Sequence, residues 1–150
     1  MQVLRRILIE KTIKAYMLRV VDGVPCKGYI GEIENTLKSK QKYVDGIIQV
    51  VSLDSSIDII CNDEGKLQGL SPNRAFMDGE DILDVFVGNI LACRHDNEGN
   101  FTSIREEDIP VIEECLKPIG GIMGEFVFLK STDDLPEFKA AEGVNDGTED

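Results

Sequence analysis

His95 is the only histidine in the 150 residues, so imidazole-based acid–base chemistry would have to run through it. It stands two residues after Cys93, a spacing that puts both side chains on one face of a strand and makes them half of a possible metal site. No second pair at ligand spacing accompanies them: Cys26, Cys61, Cys93 and Cys115 lie more than twenty residues apart and form no C-x-x-C. All four cysteines read as reduced, small apolar residues, and no metal or other cofactor is expected. The acids Asp78, Glu80, Asp81 and Asp84 lack the spacing of a calcium loop with its distal Glu and read as a solvated loop. Gly120-Gly121-x-x-Gly124 follows a helix pattern and precedes a strand pattern, the reverse of the order that aims a helix N-terminus at phosphate, and is read as a loop. With no nucleophile elbow, H-E-x-x-H or complete P-loop, chemistry would rest on carboxylates alone, so no enzyme is expected.

The elements that must position these residues alternate between strand and helix signals. Ile13 to Val21 is apolar and β-branched, Asp22-Gly23 is a hairpin signal, and Val24 to Ile30 returns as a strand that Pro25 confines to an edge. Val3 to Ile9 fits either a strand or a short helix. Glu32 to Val44 has Ile33, Leu37 and Val44 at helical spacing, predicting about three turns ended by Asp45-Gly46. Ile47 to Leu53, the turn Asp54-Ser55-Ser56 and Ile57 to Asn62 predict an antiparallel pair whose apolar doublets imply cover on both faces. Asn62 to Lys66 and His95 to Asn100 read as short loops closed by Gly65 and Gly99 in left-handed geometry, and Leu70 to Asp81 as an irregular polar crossing. Asp84 to Arg94 reads as one strand. Ser103-x-x-Glu106 is a capping-box signature for a helix beginning near Asp108 and stopped by Pro118, and Phe126 to Leu129 is a last strand. The fold class is α+β: a mixed, largely antiparallel sheet with two principal helices, one before the central hairpin and one after the last long strand.

At this length one core is the expectation, giving a single domain over residues 1–130. The net charge is −12, and residues 131–150 hold seven acids against Lys139, which puts −6 there. This stretch reads as an acidic tail, disordered beyond about Phe138 and solubilising in role. The apolar runs are short and interrupted by Arg5, Arg6, Glu10, Lys11 and Lys14, so neither a membrane span nor a secretory signal is expected, and the predicted location is the cytoplasm.

Four landmarks between about Gly28 and Leu116 carry a resemblance. They are Val44-Asp45-Gly46-Ile47-Ile48-Gln49-Val50-Val51, Ile60-Cys61-Asn62-Asp63-Glu64-Gly65-Lys66, Gly69-Leu70-Ser71-Pro72-Asn73-Arg74-Ala75, and Asp84-Val85-Phe86-Val87-Gly88-Asn89-Ile90-Leu91. In their order the chain resembles the domain-of-unknown-function family 3846, whose members look like small accessory proteins of phages and integrated elements. The first thirty residues and the segment after Leu116 exceed the minimal pattern.

That resemblance singles out Asn62, Lys66, Asn73 and Arg74 as tentative ligand-binding residues. Two cations and two amides converging near one end of the sheet would suit a phosphate or carboxylate. Against this, Asn62 can hold a left-handed turn, Lys66 can sit solvated beside Glu64, and Asn73 with Pro72 can cap a loop, while Arg74 has no evident local structural need. The expected function is a non-catalytic protein-binding module acting on a host or defence factor. The alternatives are a binder or sponge for a small anionic nucleotide signal, and an acidic mimic of DNA. Direct nucleic-acid binding is not expected, and oligomeric state is not legible.

Overall fold

The computed structural model describes residues 10–139. Strand β1 (Thr12–Leu18) buries Ile13, Ala15 and Met17 on one face and Tyr16 and Leu18 on the other. The chain then turns through a small ribbon, β2 (Val20–Val21) and β3 (Val24–Pro25), whose turn residues Asp22 and Gly23 have φ of 51° and 79°. Two successive positive φ values are what a two-residue hairpin turn requires. The return strand is β4 (Tyr29–Glu34), later than expected, pairing antiparallel with β1 so that Ile33 faces Ile13.

Because Gly31 and Ile33 are buried while Ile30, Glu32 and Glu34 are exposed, period two governs this stretch, and Ile33 belongs to the strand rather than to the predicted helix. Helix α1 (Leu37–Val44) is correspondingly shorter. Thr36 caps it by accepting from Ser39 N at 3.1 Å, and Asp45 at φ 66° closes it with its N–H on Gln41 O.

The central hairpin, β5 (Ile48–Ser52) and β6 (Ile57–Asn62), forms as predicted. All six residues of β6 are buried, but β5 is an edge strand with Val50 exposed, so cover on both faces holds only for β6. The predicted irregular crossing is in fact a hairpin, β7 (Pro72–Asp78) and β8 (Asp81–Val87), turned at Gly79 with φ 62°. The single strand predicted from Asp84 to Arg94 breaks at Gly88, φ 74°, where the chain leaves one sheet and enters another as β9 (Ile90–His95). A Cβ on Gly88 would also stand 2.7 Å from Leu70 Cδ1.

After β10 (Phe101–Thr102), a 3-10 turn (Glu106–Asp108) leads into α2 (Ile109–Cys115). The residue at the N-cap of this start is Arg105, whose N–H donates to Asp108 Oδ2 at 2.9 Å. Ser103, expected in that role, instead receives Lys14 N at 2.9 Å. Pro118 does not end the helix: it lies within β11 (Leu116–Met123), where its carbonyl accepts from Lys130 N at 2.9 Å. Gly120 and Gly121 are strand residues at a register shift, not a loop, and β12 (Phe126–Leu129) follows.

All the strand pairs described are antiparallel. They form a six-stranded sheet in the order β4-β1-β9-β6-β5 with β10 beside β9, a four-stranded sheet β12-β11-β7-β8, and the ribbon β2-β3. With two α-helices among the described residues this is an α+β fold. One face of the larger sheet packs Ile13, Met17, Ile60 and Leu91 under Tyr43 and Val44 of α1. The other packs Tyr16, Leu18, Ile59 and Ile90 against Phe86 and Leu116 of the second sheet and Ile112 of α2. Among the described residues no helix is long and apolar enough to cross a membrane. Val3 to Ile9, and the tail from residue 140, lie outside the described residues. Leu135 is buried and Lys27 N donates to Pro136 O at 2.8 Å, so the folded part runs past residue 130.

Gly28 lets Tyr16 into this core, since a Cβ there would lie 2.3 Å from the Tyr16 ring. Gly28→Ala is expected to cost about 1–3 kcal/mol through overpacking, read as a lower urea midpoint at unchanged slope.

Candidate functional site

Asn62 ends β6, and its side chain is turned into the fold. Nδ2 donates toward Val44 O (3.1 Å), Asp45 O (3.0 Å) and Gln68 Oε1 (3.0 Å), while Oδ1 accepts from Glu64 N at 2.8 Å. The amide therefore ties the C-terminus of α1 to the loop 63–69. Asn62 itself is strand, not a left-handed turn residue, and the left-handed glycine of this loop is Gly69 at φ 74° rather than Gly65. Gly65 serves close packing instead, because a Cβ there would meet Val87 Cγ2 at 2.7 Å. Lys66 is exposed and pairs with Asp84 at 2.7 Å.

These two residues share a cleft of about 130 Å³ that also carries the carboxylates of Asp63, Glu64 and Asp84. The thiol of Cys61 in its wall is pushed up to about 11 by burial, reinforced by the charges of Asp84 and Asp63, and stays protonated near neutral pH.

Asn73 and Arg74 lie elsewhere, near the start of β7 and buried. Asn73 Nδ2 donates to Leu18 O (2.9 Å) and Gly88 O (2.8 Å), and its Oδ1 accepts from Arg74 Nη1 at 2.7 Å. Arg74, 3% exposed, also donates from Nη2 to Cys26 O at 2.8 Å. Burial lowers its pKa to about 10, still charged at neutral pH, with Tyr16 and Glu113 opposing the shift. Tyr16 O–H donates to Glu113, and burial with that carboxylate raises the phenol above its ordinary range. Asn73 and Arg74 thus clasp β1, the ribbon and the β8–β9 bend. The structure brings Asn62 and Lys66 into one cleft and places Asn73 and Arg74 apart from it.

His95 also has a structural neighbour: its Nδ1 is 2.8 Å from Asp58 Oδ2, and Cys93 is buried in the core. Among the described residues no three His, Cys, Asp or Glu side chains are grouped to hold a metal.

A cluster of exposed apolar side chains stands where the sequence marks only a terminal strand. β7 pairs with β11 over Leu116–Pro118 alone, and from Ile119 onward β11 pairs with β12, making a hairpin that extends past the rest of its sheet. The tip turns at Gly124, φ 60°. Residues directly opposite in an antiparallel pair share a face, so the pairing of Met123 with Phe126 and of Gly121 with Phe128 puts three large apolar side chains together. Met123 is 69% exposed, Phe126 70% and Phe128 53%. The opposite face carries Ile122 and Leu129, both exposed as well. A hairpin apolar on both faces, with an unpaired outer edge among the described residues, is what natural proteins avoid unless another surface covers it. The signal was present in the sequence as Ile122-Met123 and Phe126-Val127-Phe128-Leu129, two runs without polar alternation flanking a glycine turn.

A family model described as a domain of unknown function (DUF3846) matches residues 17–117, about two thirds of the chain, and the chain belongs to that family. The match begins ahead of the Gly28–Leu116 landmarks and includes the end of β1. It contains Asn62, Lys66, Asn73 and Arg74, and it stops before the projecting part of the β11–β12 hairpin. No curated protein and no solved structure matches the chain.

Proposed function

We propose that this member of the DUF3846 family is a non-catalytic protein-binding module, an accessory factor of a phage or mobile element that engages a host or defence protein in the cytoplasm. The observation that carries this reading is the joint exposure of Met123, Phe126 and Phe128 on one face of the β11–β12 hairpin. Fully burying a side chain of this size is worth about 1.5–3 kcal/mol, so three together would supply the apolar centre of an interface. The projecting part of the hairpin lies outside the family match, which makes the partner particular to this protein or its near relatives.

The test is affinity capture from the cells in which the protein is made. Wild type is compared with a variant carrying Met123→Ser, Phe126→Ser and Phe128→Ser. We expect wild type to retain a partner at fixed stoichiometry, and the variant, melting no lower, to release it. Capture of the same proteins by both, or of none, would count against the hairpin as the binding surface.

A small anionic ligand, such as a nucleotide signal, is the weaker reading. The Asn62–Lys66 cleft, at about 130 Å³, is below the ~300 Å³ of ordinary ligand sites, and it adds three carboxylates to its single lysine. Millimolar nucleotide is expected to leave the melting temperature unchanged. Lys66→Ala should alter stability by no more than about 0.5 kcal/mol, as for other exposed ion pairs, and a thermal shift lost in that variant would favour the ligand reading. Mimicry of DNA is less favoured still, because the projecting feature is apolar rather than acidic.

A further inference from the structure

Beyond the family match, the segment Leu135-Pro136-Glu137-Phe138 lies on the domain as a strap. Leu135 is buried, and Pro136 O accepts from Lys27 N at 2.8 Å. The Phe138 ring stacks on Tyr29 with centroids 5.5 Å apart and planes within 5°, and it also covers the guanidinium of Arg19 at 4.4 Å. That guanidinium lies over the Tyr43 ring at 4.9 Å, and its Nε donates to Tyr29 O–H at 2.7 Å. A cleft of about 220 Å³ remains between Lys27, Gly28, Tyr29, Glu137 and Phe138.

Two features set the strap apart from the surface beneath it. The groups that meet the strap, the Tyr29 ring, the Arg19 guanidinium and the Lys27 amide, all belong to the family match, whereas the strap does not. The strap also leaves part of the surface unsatisfied: Arg19 Nη2 is buried with no hydrogen-bond partner among the described residues. A buried donor on a charged group is costly to leave unmade, and a carboxylate is its strongest complement.

We propose that Arg19, Tyr29 and the Lys27 backbone, with Tyr43 beneath Arg19, form a peptide-binding groove that the chain's own Leu135–Phe138 segment fills. The outside occupant is an extended protein segment with an aromatic anchor at the Phe138 position and a carboxylate placed to reach Arg19. The Lys27 amide anchors the backbone of such a segment, and the Tyr29 and Arg19 faces select the aromatic. A tethered occupant acts at an effective concentration on the order of millimolar, so the strap is a built-in competitor that sets a threshold for any other segment. The groove shares no residue with the β11–β12 hairpin, and a hairpin that binds nothing leaves this inference untouched.

The experiment uses the full chain carrying Leu135→Ser and Phe138→Ser, which releases the strap, and a fluorescein-labelled peptide with the sequence of residues 131–139. Fluorescence anisotropy should show the released variant binding the peptide at least tenfold more tightly than wild type does. Adding Tyr29→Ala, or replacing the peptide's phenylalanine by serine, should remove binding at least tenfold. A folded released variant that fails to bind millimolar peptide, or equal binding by wild type and variant, would overturn the proposal. Should the variant not fold, hydrogen exchange of the Lys27 amide in wild type decides: exchange well ahead of the β1–β4 core amides is expected, and protection equal to theirs overturns it.

Discussion

Asn73→Ala is expected to cost on the order of 4 kcal/mol, because it strips partners from three groups at once, two in buried bonds and one in a part-buried bond, and each unmade bond costs about 1–3 kcal/mol. The three are Leu18 O, Gly88 O and Arg74 Nη1. They belong to the end of β1, the turn into β9 and a buried cation, so the loss falls on the joint between the two sheets. Domains of this kind have about 5–15 kcal/mol in total, which makes this one amide a large share of it. Urea denaturation checks the value. A cost below about 1 kcal/mol would mean that those carbonyls find other donors. Arg74 inherits the same logic: its lack of a local structural need in the sequence reflects a long-range one, a bond from β7 to Cys26 O.

Asp108→Asn is expected to cost about 3 kcal/mol, the scale for breaking a largely buried ion pair while leaving one charge behind. Arg94 grips the carboxylate with Nε at 2.8 Å and Nη2 at 3.0 Å, and the same carboxylate holds Arg105 N at the entry to α2. The Arg94 hydrogen bonds hold the Asp108 carboxyl below the usual carboxylate range. A depressed folded pKa contributes stability above the unfolded value, about 3.9, and that contribution is lost as pH falls through the lower folded value. The wild type should therefore weaken in acid more steeply than Asp108→Asn, and parallel acid-unfolding curves would contradict the assignment.

Where apolar period and turn chemistry coincide, the elements were legible. Asp22-Gly23 is a left-handed pair between two strands, β5 and β6 flank Asp54-Ser55-Ser56, and Gly99 at φ 85° closes the loop after β9. Strand β7 was hidden because its first half carries Asn73-Arg74, two polar residues that sequence patterning assigns to solvent and tertiary structure buries. The break at Gly88 was hidden for a different reason. Apolar residues continue on both sides, and only the change of sheet, invisible to local pattern, separates β8 from β9. The four family-marked residues were recognisable, but whether they met was a question of topology: two share a cleft, and two became an internal clasp. The hairpin was readable as a strand and not as a surface, since no local signal says whether an apolar run will find cover.

Native mass spectrometry of the protein recovered intact from the cells that make it tests protein binding most directly. The prediction is a complex with a second protein at fixed stoichiometry, reduced to the bare chain by Met123→Ser, Phe126→Ser and Phe128→Ser together. A chain without a protein partner that instead retains a small molecule, lost in Lys66→Ala, would contradict it.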